Sequence, residues 1–248
     1  MGDERLDGLD AAALAERLAL PECVLHDRVR STMDVAHAAA ERGASAGTLI
    51  VADSQETGRG RGGKRWESLP GRGLWMTLLE RPRSPRGLDV LSLRLGLYLA
   101  EALDGFSGER VRLKWPNDLY VGNGKLAGIL VEARWRDQRV DWVAIGIGMN
   151  VEPPDGLAEA AGLVPGTSRL AVLERVMPVL RSAAAAEGPL TDAELVRYAA
   201  RDLASGRRIV RPAVGVVAGI GAAGDLVVET DAGRVACRSG SLVFGEEG

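Results

Sequence analysis

The stretch WVAIGIGMNV, Trp142 to Val151, limits this chain more than any other. It is apolar at its odd and at its even positions. A strand sends successive side chains to opposite faces of its sheet, so this one must be covered on both faces. It therefore belongs in the middle of a sheet. Five further stretches read as strands around it: VLHDRV (Val24–Val29), TLIVAD (Thr48–Asp53), LWMTLLE (Leu74–Glu80), VRLKW (Val111–Trp115) and KLAGILVEA (Lys125–Ala133).

Helical signals lie between them. Asp10 to Leu20 carries Leu14 and Leu18 four apart. Ser31 opens a helix that Gly43 stops, and Ser31-x-x-Asp34 resembles a capping box with Asp in place of Glu. Leu91 to Leu99 is ambiguous. Its strict alternation favours a strand, whereas Leu95, Leu99 and Ala102 favour a helix. Residues 152–168 form a Pro/Gly-rich loop, followed by a helix over 167–187 that Pro178 should kink. Thr191-x-x-Glu194 is a full capping box for a helix running to Ala204, with Leu190 and Leu195 placed as its hydrophobic staple. From Gly206 the pattern changes to short strands with glycine turns, a small β-barrel-like unit. A chain of 248 residues suits one large and one small domain, divided here as 1–204 and 205–248.

Composition narrows the function. A net charge of −3 argues against a dedicated DNA-binding protein. Cys23 and Cys237 form no spaced cluster, so a reduced, cytoplasmic setting is expected. Two histidines, His26 and His37, cannot supply a His-rich metal site. No apolar run reaches the roughly 20 residues of a membrane span, and the acidic start MGDERLDGLD is not a secretory signal.

The sharpest local feature is GRGRGGKRW, Gly58 to Trp66. Gly58, Gly60 and Gly63 spell a dinucleotide fingerprint, and Gly58, Gly63 and Lys64 most of a P-loop. Both motifs need a helix next, and Pro70, Gly71 and Gly73 stand against one. A disordered RGG-type segment fits poorly between two apolar strands. What remains is a short loop joining neighbouring strands, rich in backbone N–H groups and guanidinium forks suited to an anion. A merely solvated basic loop is the plainer alternative.

Three more motifs follow. In KWPNDL, Pro116 must end a strand, leaving Asn117 and Asp118 at its tip, where a carboxylate could hold Mg²⁺ on a nucleotide. An ordinary Pro-Asn-Asp turn explains the same residues. Lys125 heads KLAGILVE, placed either in solvent or against a reacting phosphate. Asn150 ends IGIGMN, a suitable place for recognition of a base.

In this order, STMD, Q-x-x-GRGRGGKRW, KWPNDL, GKLAGILVE and IGIGMNV, the chain resembles the biotin protein ligase family over Val24 to Val151, and more loosely beyond. The resemblance implies an α+β fold: a mixed sheet flanked by helices, as in class II synthetases, with a small C-terminal SH3-like β-barrel. It makes Leu91–Leu99 a helix. It implies that biotin carboxylate attacks the α-phosphate of ATP, giving biotinyl-5′-AMP, and that a lysine of a biotin carboxyl carrier protein then takes the biotin. By motif, Ser31, Thr32, Gln55, Arg59, Gly60, Arg61, Lys125 and Gly128 would serve biotin. Arg61, Lys64, Trp66, Asn117 and Asn150 would serve the nucleotide, and Lys125, Arg61 and Asp118 the chemistry, with Asp118 also a candidate for Mg²⁺. Ser31 reads equally as a helix N-cap and Trp66 as core. The base of the transfer step is left open among Asp118, solvent and phosphate.

Two departures stand inside these motifs. Met33 replaces the usual Asn after Ser-Thr, and Lys64 stands where Arg is common, keeping the charge without the fork. The alternative on the same fold is a lipoate or octanoyl-type ligase or acyltransferase. Some members of the family carry an N-terminal winged helix for DNA, and only 23 residues precede Val24, so no DNA partner is expected. The resemblance leaves room for a homodimer and implies no membrane partner.

Overall fold

The apolar run Trp142–Val151 becomes the centre of the molecule. In the computed structural model, which describes residues 4–245, it supplies most of β7 (Arg139–Asn150), the middle member of a seven-stranded sheet. To one side lie β3 (Gly73–Glu80), β2 (Thr48–Gln55) and the edge strand β1 (Glu22–Val29). To the other lie β6 (Gly124–Arg136), β5 (Asp118–Val121) and β4 (Arg112–Lys114). All neighbours run antiparallel except β1 and β2. That parallel pair needs a crossover, and α2 (Thr32–Glu41) provides it.

Leu91–Leu99 is helical, within α3 (Leu91–Leu103). Its alternation misleads because the residues between the leucines are not a solvent face. Arg94 and Gly96 are buried too, since the helix lies between the sheet and α4 (Arg169–Ala185). A helix covered on nearly all sides loses the polar stripe that would betray its period. Helix α4 starts after Ser168, whose Oγ accepts from the Ala171 N–H at 3.2 Å, and carries Pro178 inside it.

The capping box at Thr191 and Glu194 is complete and opens α5 (Asp192–Ala199). That helix stops five residues short of the expected Ala204. The chain instead pairs with the outer edge of β4. Leu113 N–H donates to Arg201 O and Leu203 N–H donates to Leu113 O, both at 2.8 Å. An edge strand exposes unpaired backbone groups, and covering it outweighs the extra helical turn. The Ser31–Asp34 box does not form. Ser31 Oγ accepts from Met33 N–H at 3.3 Å, and Asp34 turns to Arg59.

Beyond α5 a second sheet takes the order β11 (Gly233–Cys237), β10 (Leu226–Thr230), β9 (Gly215–Ile220), β8 (Arg208–Arg211), β12 (Val243–Phe244). It is open among the described residues, correcting the barrel expectation. Strand β12 has two residues and does not pair with β11, so no ladder closes the ring. The sheet is fastened to the larger one. Trp115 Nε1 donates to Gly224 O at 3.0 Å, and the Phe244 ring lies between Lys114 and Arg207, 5.3 and 3.7 Å from its centroid. Among the described residues no helix is long and apolar enough to cross a membrane.

One ion pair ties the helical layer together. Arg94, 1% exposed, donates to both Glu194 carboxylate oxygens, at 2.7 and 3.3 Å, and to the carbonyls of Ala186, Gly188 and Pro189. Burial alone would raise the Glu194 carboxyl, but Arg94 and the Thr191 donors hold it below its ordinary value. Its stabilising contribution is therefore present above about pH 4.5 and is lost as pH falls through the lowered value. Arg94→Ala would strand a buried carboxylate, so we expect a loss of about 3–5 kcal/mol in urea unfolding at neutral pH.

Candidate active site

The floor of the main cleft is a lane of glycines. Gly148 on β7 stands opposite Gly128 on β6 and Trp75 on β3, and Gly146 stands opposite Leu130 and Thr77. Two side chains occupy the space this leaves. A Cβ on Gly148 would lie 2.6 Å from the Trp66 indole, and one on Gly128 would lie 3.1 Å from it. A Cβ on Gly146 would lie 2.7 Å from Met33 Sδ. Trp66 meets Trp75 edge-on at 6.5 Å, and its buried Nε1–H has no hydrogen-bond partner among the described residues.

The glycine loop is a miniature hairpin over this floor. Trp66 N–H donates to Gly58 O at 2.9 Å, Gly60 N–H to Lys64 O at 2.8 Å, and Arg59 pairs across with Arg65. At its tip, Arg61–Gly63 makes a single tight turn in which Gly62 and Gly63 have φ of 64° and 75°. A side chain at either position would be strained. No α-helix follows before β3, which removes both dinucleotide and P-loop geometry.

Ser31, Thr32, Gln55, Arg59, Gly60, Arg61, Lys64, Trp66, Asn117, Asp118, Lys125 and Gly128 all line this one cleft. Lys125 Nζ is 2.7 Å from Asp118 Oδ1 and 5.0 Å from the Trp66 ring centroid. Asn117 is tied to β6, its Nδ2 donating to Ile129 O at 2.8 Å. At the other end Gln55 Oε1 accepts from Thr32 N–H at 2.9 Å, while its Nε2 donates to Ser68 Oγ at 2.8 Å. Thr77 Oγ1 donates to Thr32 Oγ1 at 2.8 Å. Asn150 is the exception. It sits buried behind the cleft wall, donating to Lys125 O at 3.2 Å, and so steadies the strand that carries Lys125.

Several lining residues had no role in the sequence reading. Gly146 and Gly148 were legible as a two-residue repeat on one face of a strand. Lys114, inside KWPNDL, faces the cleft. Burial pushes its ammonium below the usual lysine range; Asp118 opposes this, and Lys125, Lys64 and Arg207 add to it. Gly240, Ser241 and Leu242 arrive from the second sheet, and nothing in their sequence marks them.

The cleft is cationic. Arg61 and Lys64 make no ion pair or side-chain hydrogen bond among the described residues, and Lys114, Lys125 and Arg65 stand nearby. Asp118 is the acid lining the same space, and Lys125 holds it. Such a site fits a ligand bearing phosphate or carboxylate groups. For the Mg²⁺ of a bound nucleotide the cleft offers one carboxylate among the described residues, Asp118. No group of three His, Cys, Asp or Glu side chains suited to a metal occurs among the described residues, and the Asp118 carboxylate is engaged.

Comparison with known proteins bears on this geometry. The model of the Biotin/lipoate A/B protein ligase family matches residues 25–150. The bifunctional ligase/repressor BirA of Bacillus subtilis is 38% identical over 144 residues, covering 56% of this chain and 44% of that protein. The biotin–[acetyl-CoA-carboxylase] ligase of Paracoccus denitrificans is 38% identical over 130 residues, 51% of this chain and 54% of that one. The matched region thus spans about half the length of these relatives or less. Among solved structures, biotin protein ligase from Aquifex aeolicus in complex with biotin and ATP superposes with a TM-score of 0.73 at 27% identity, covering 91% of this chain and 99% of that one.

The glycine floor makes a prediction of its own. Gly148→Ala would place a methyl 2.6 Å from the Trp66 indole. We expect the ring to be displaced at a cost of about 1–3 kcal/mol, with the fold kept. Increased acrylamide quenching of tryptophan emission, relative to the same change in a Trp66→Phe background, would report it.

Proposed function

The chain belongs to the biotin/lipoate A/B protein ligase family, and we propose that it activates biotin with ATP and transfers it to a lysine of a biotin carboxyl carrier protein. The observation that carries this reading is the cationic cleft with Lys125 at its centre and an apolar, glycine-floored slot beside it. The Aquifex relative binds biotin and ATP, and the Paracoccus relative is a biotin ligase. In the first step a biotin carboxylate oxygen bonds to the α-phosphorus, and pyrophosphate leaves. Both reactants are anionic, so the main barrier is charge repulsion and alignment, which fixed cations lower. Lys125 serves the reacting carboxylate and α-phosphate, and Asp118 positions Lys125. In the second step the carrier's amine attacks the acyl carbon, AMP leaves, and an amide results.

Thr32 and Gln55 supply polar contacts to the ureido ring, with Ser31 holding the helix start that presents Thr32 and β2 ending at Gln55. Thr77, Thr32, Gln55 and Ser68 form a row of hydroxyl and amide groups that a lipoyl dithiolane would leave unused, which favours biotin over the lipoate alternative. Met33 adds an apolar wall where an Asn is usual. Arg59, Gly60, Arg61 and Gly128 line the path of the acyl phosphate; Trp66, Lys64 and Asn117 face the nucleotide; and Asn150 supports Lys125 from behind. Any Mg²⁺ enters with ATP rather than on a protein site. The segment 205–248 is a second, smaller unit that packs on the first and reaches the cleft through Gly240–Leu242, and the enzyme is cytoplasmic; residues 1–3 and 246–248 of this division lie outside the described residues.

Two tests follow. Biotin and MgATP should yield biotinyl-AMP detectable by mass spectrometry, and Lys125→Ala should slow pyrophosphate release about 30- to 1,000-fold, a loss of ~2–4 kcal/mol in transition-state stabilisation. Normal release by the folded variant would remove Lys125 from the chemistry. Arg61, unpartnered at the loop tip, should instead retain the intermediate. Arg61→Gly is expected to release preformed adenylate roughly 10- to 100-fold faster and to biotinylate added albumin. Unchanged release would show that the loop tip is not a lid.

A further inference from the structure

Two acids in the diagnostic motifs have no part in the function above: Asp34, which closes STMD, and Glu132, which closes KLAGILVE. Both are turned to Arg59. Arg59 Nη2 is 3.0 Å from Asp34 Oδ1, and Nη1 is 3.4 Å from Glu132 Oε1. The other oxygen of Glu132 is 2.8 Å from His37 Nε2, and His37 Nδ1 is 2.9 Å from Trp142 Nε1.

The direction of this chain of hydrogen bonds follows from chemistry. An indole N–H only donates, so His37 Nδ1 must accept, and the ring proton sits on Nε2. His37 Nε2–H therefore donates to Glu132. Trp142 is itself fixed. It is 5% exposed and lies against Arg81, whose guanidinium carbon is 5.7 Å from the ring centroid. Arg81 in turn donates to Ala40 O, Ala44 O and Asp141. A rigid point on the central strand is thus connected, through one imidazole and one carboxylate, to the first arginine of the glycine loop.

Arg59 and Arg61 consequently differ. Arg61, at the tip, is unpartnered, whereas Arg59, at the base, is held by two carboxylates. We propose that Glu132 and His37 are positioning residues that anchor the base of the glycine loop through Arg59, so that only its tip must order around the ligand. For catalysis this rests on the function proposed above; for the loop itself it does not.

Amide hydrogen exchange across residues 58–66 of the ligand-free full chain tests the anchor. Glu132→Gln keeps a hydrogen-bonding group of the same shape but removes the charge that Arg59 needs. It should speed exchange in the loop about 5-fold or more while leaving β7 protected. Arg59→Gln should do the same, and the double variant should add little beyond either single one. His37→Gln, which retains a donor and an acceptor, should stay closer to wild type than His37→Ala. Adenylate chase then supplies the functional arm. Glu132→Gln should release biotinyl-AMP about 5- to 20-fold faster, with its formation rate within about 2-fold of wild type. Loop exchange unchanged in Glu132→Gln, or single effects that multiply in the double variant, would overturn the anchor. A wild-type protein that makes no adenylate would sink the function alone, because the exchange arm needs no substrate.

Discussion

The cleft exists because β7 presents no side chain at two successive positions on one of its faces. Ile145 and Ile147 point to the other face and join the core with the leucines of α3 and α4. Gly146 and Gly148 face the cleft. The strand is thus apolar on both sides but two-faced in volume. Where the isoleucines fill space, the glycines leave it, and Met33, Trp66 and the ligand slot all occupy what they leave. A methyl group at either position would meet an existing side chain, and close-packed interiors have no slack to absorb it. The same register sets Trp75 and Gly128 beside Gly148, and Asp118 beside Gly128. One row of backbone pairing therefore carries the floor, the buried ring that backs Trp66 and the acid that holds Lys125.

The cations of this protein fall into two groups with different work. Arg94, Arg81 and Arg201 each bond carboxylates and carbonyls, Arg59 pairs with two carboxylates, and all four fix one element to another. Arg61 and Lys64 have no such partners. Lys114 beside them is pushed below the usual lysine range chiefly by burial, with Lys125, Lys64 and Arg207 adding to it and Asp118 opposing it. The charges of Arg61 and Lys64 are available to an anionic ligand. The loop carrying Arg61 is built to suit that difference. Its base is paired backbone, and its tip is two glycines in left-handed geometry.

Much of this was legible in the sequence, and the reason is periodicity and local chemistry. WVAIGIGMNV, apolar on both faces, had to be central. Thr191 and Glu194 had to cap a helix, because both partners of the box lie within one turn. The motifs around Arg61, Lys125 and Asp118 carried the family, so the cleft residues could be named before any geometry. Other features depend on distant segments. The alternation of Leu91–Leu99 could not be resolved locally, because its period is erased where α4 covers the face that solvent would otherwise mark. The shortening of α5 is a decision of β4, whose unpaired edge recruits residues 201–203. The open second sheet and the arrival of Gly240–Leu242 at the cleft follow from packing against Lys114 and Trp115. Above all, the difference between Arg59 and Arg61 cannot be read from GRGRGG. The two arginines are chemically identical in the sequence, and it is Asp34, Glu132 and His37, brought from a helix and a separate strand, that make one an anchor and leave the other free. The sequence by itself determined most of the motif side chains that meet at this cleft, but not that Asn150 lies behind it or that Gly240–Leu242 reach it; only the tertiary structure decided that and which of the cations are already paired, because a charge is satisfied by neighbours in space and not by neighbours in the chain.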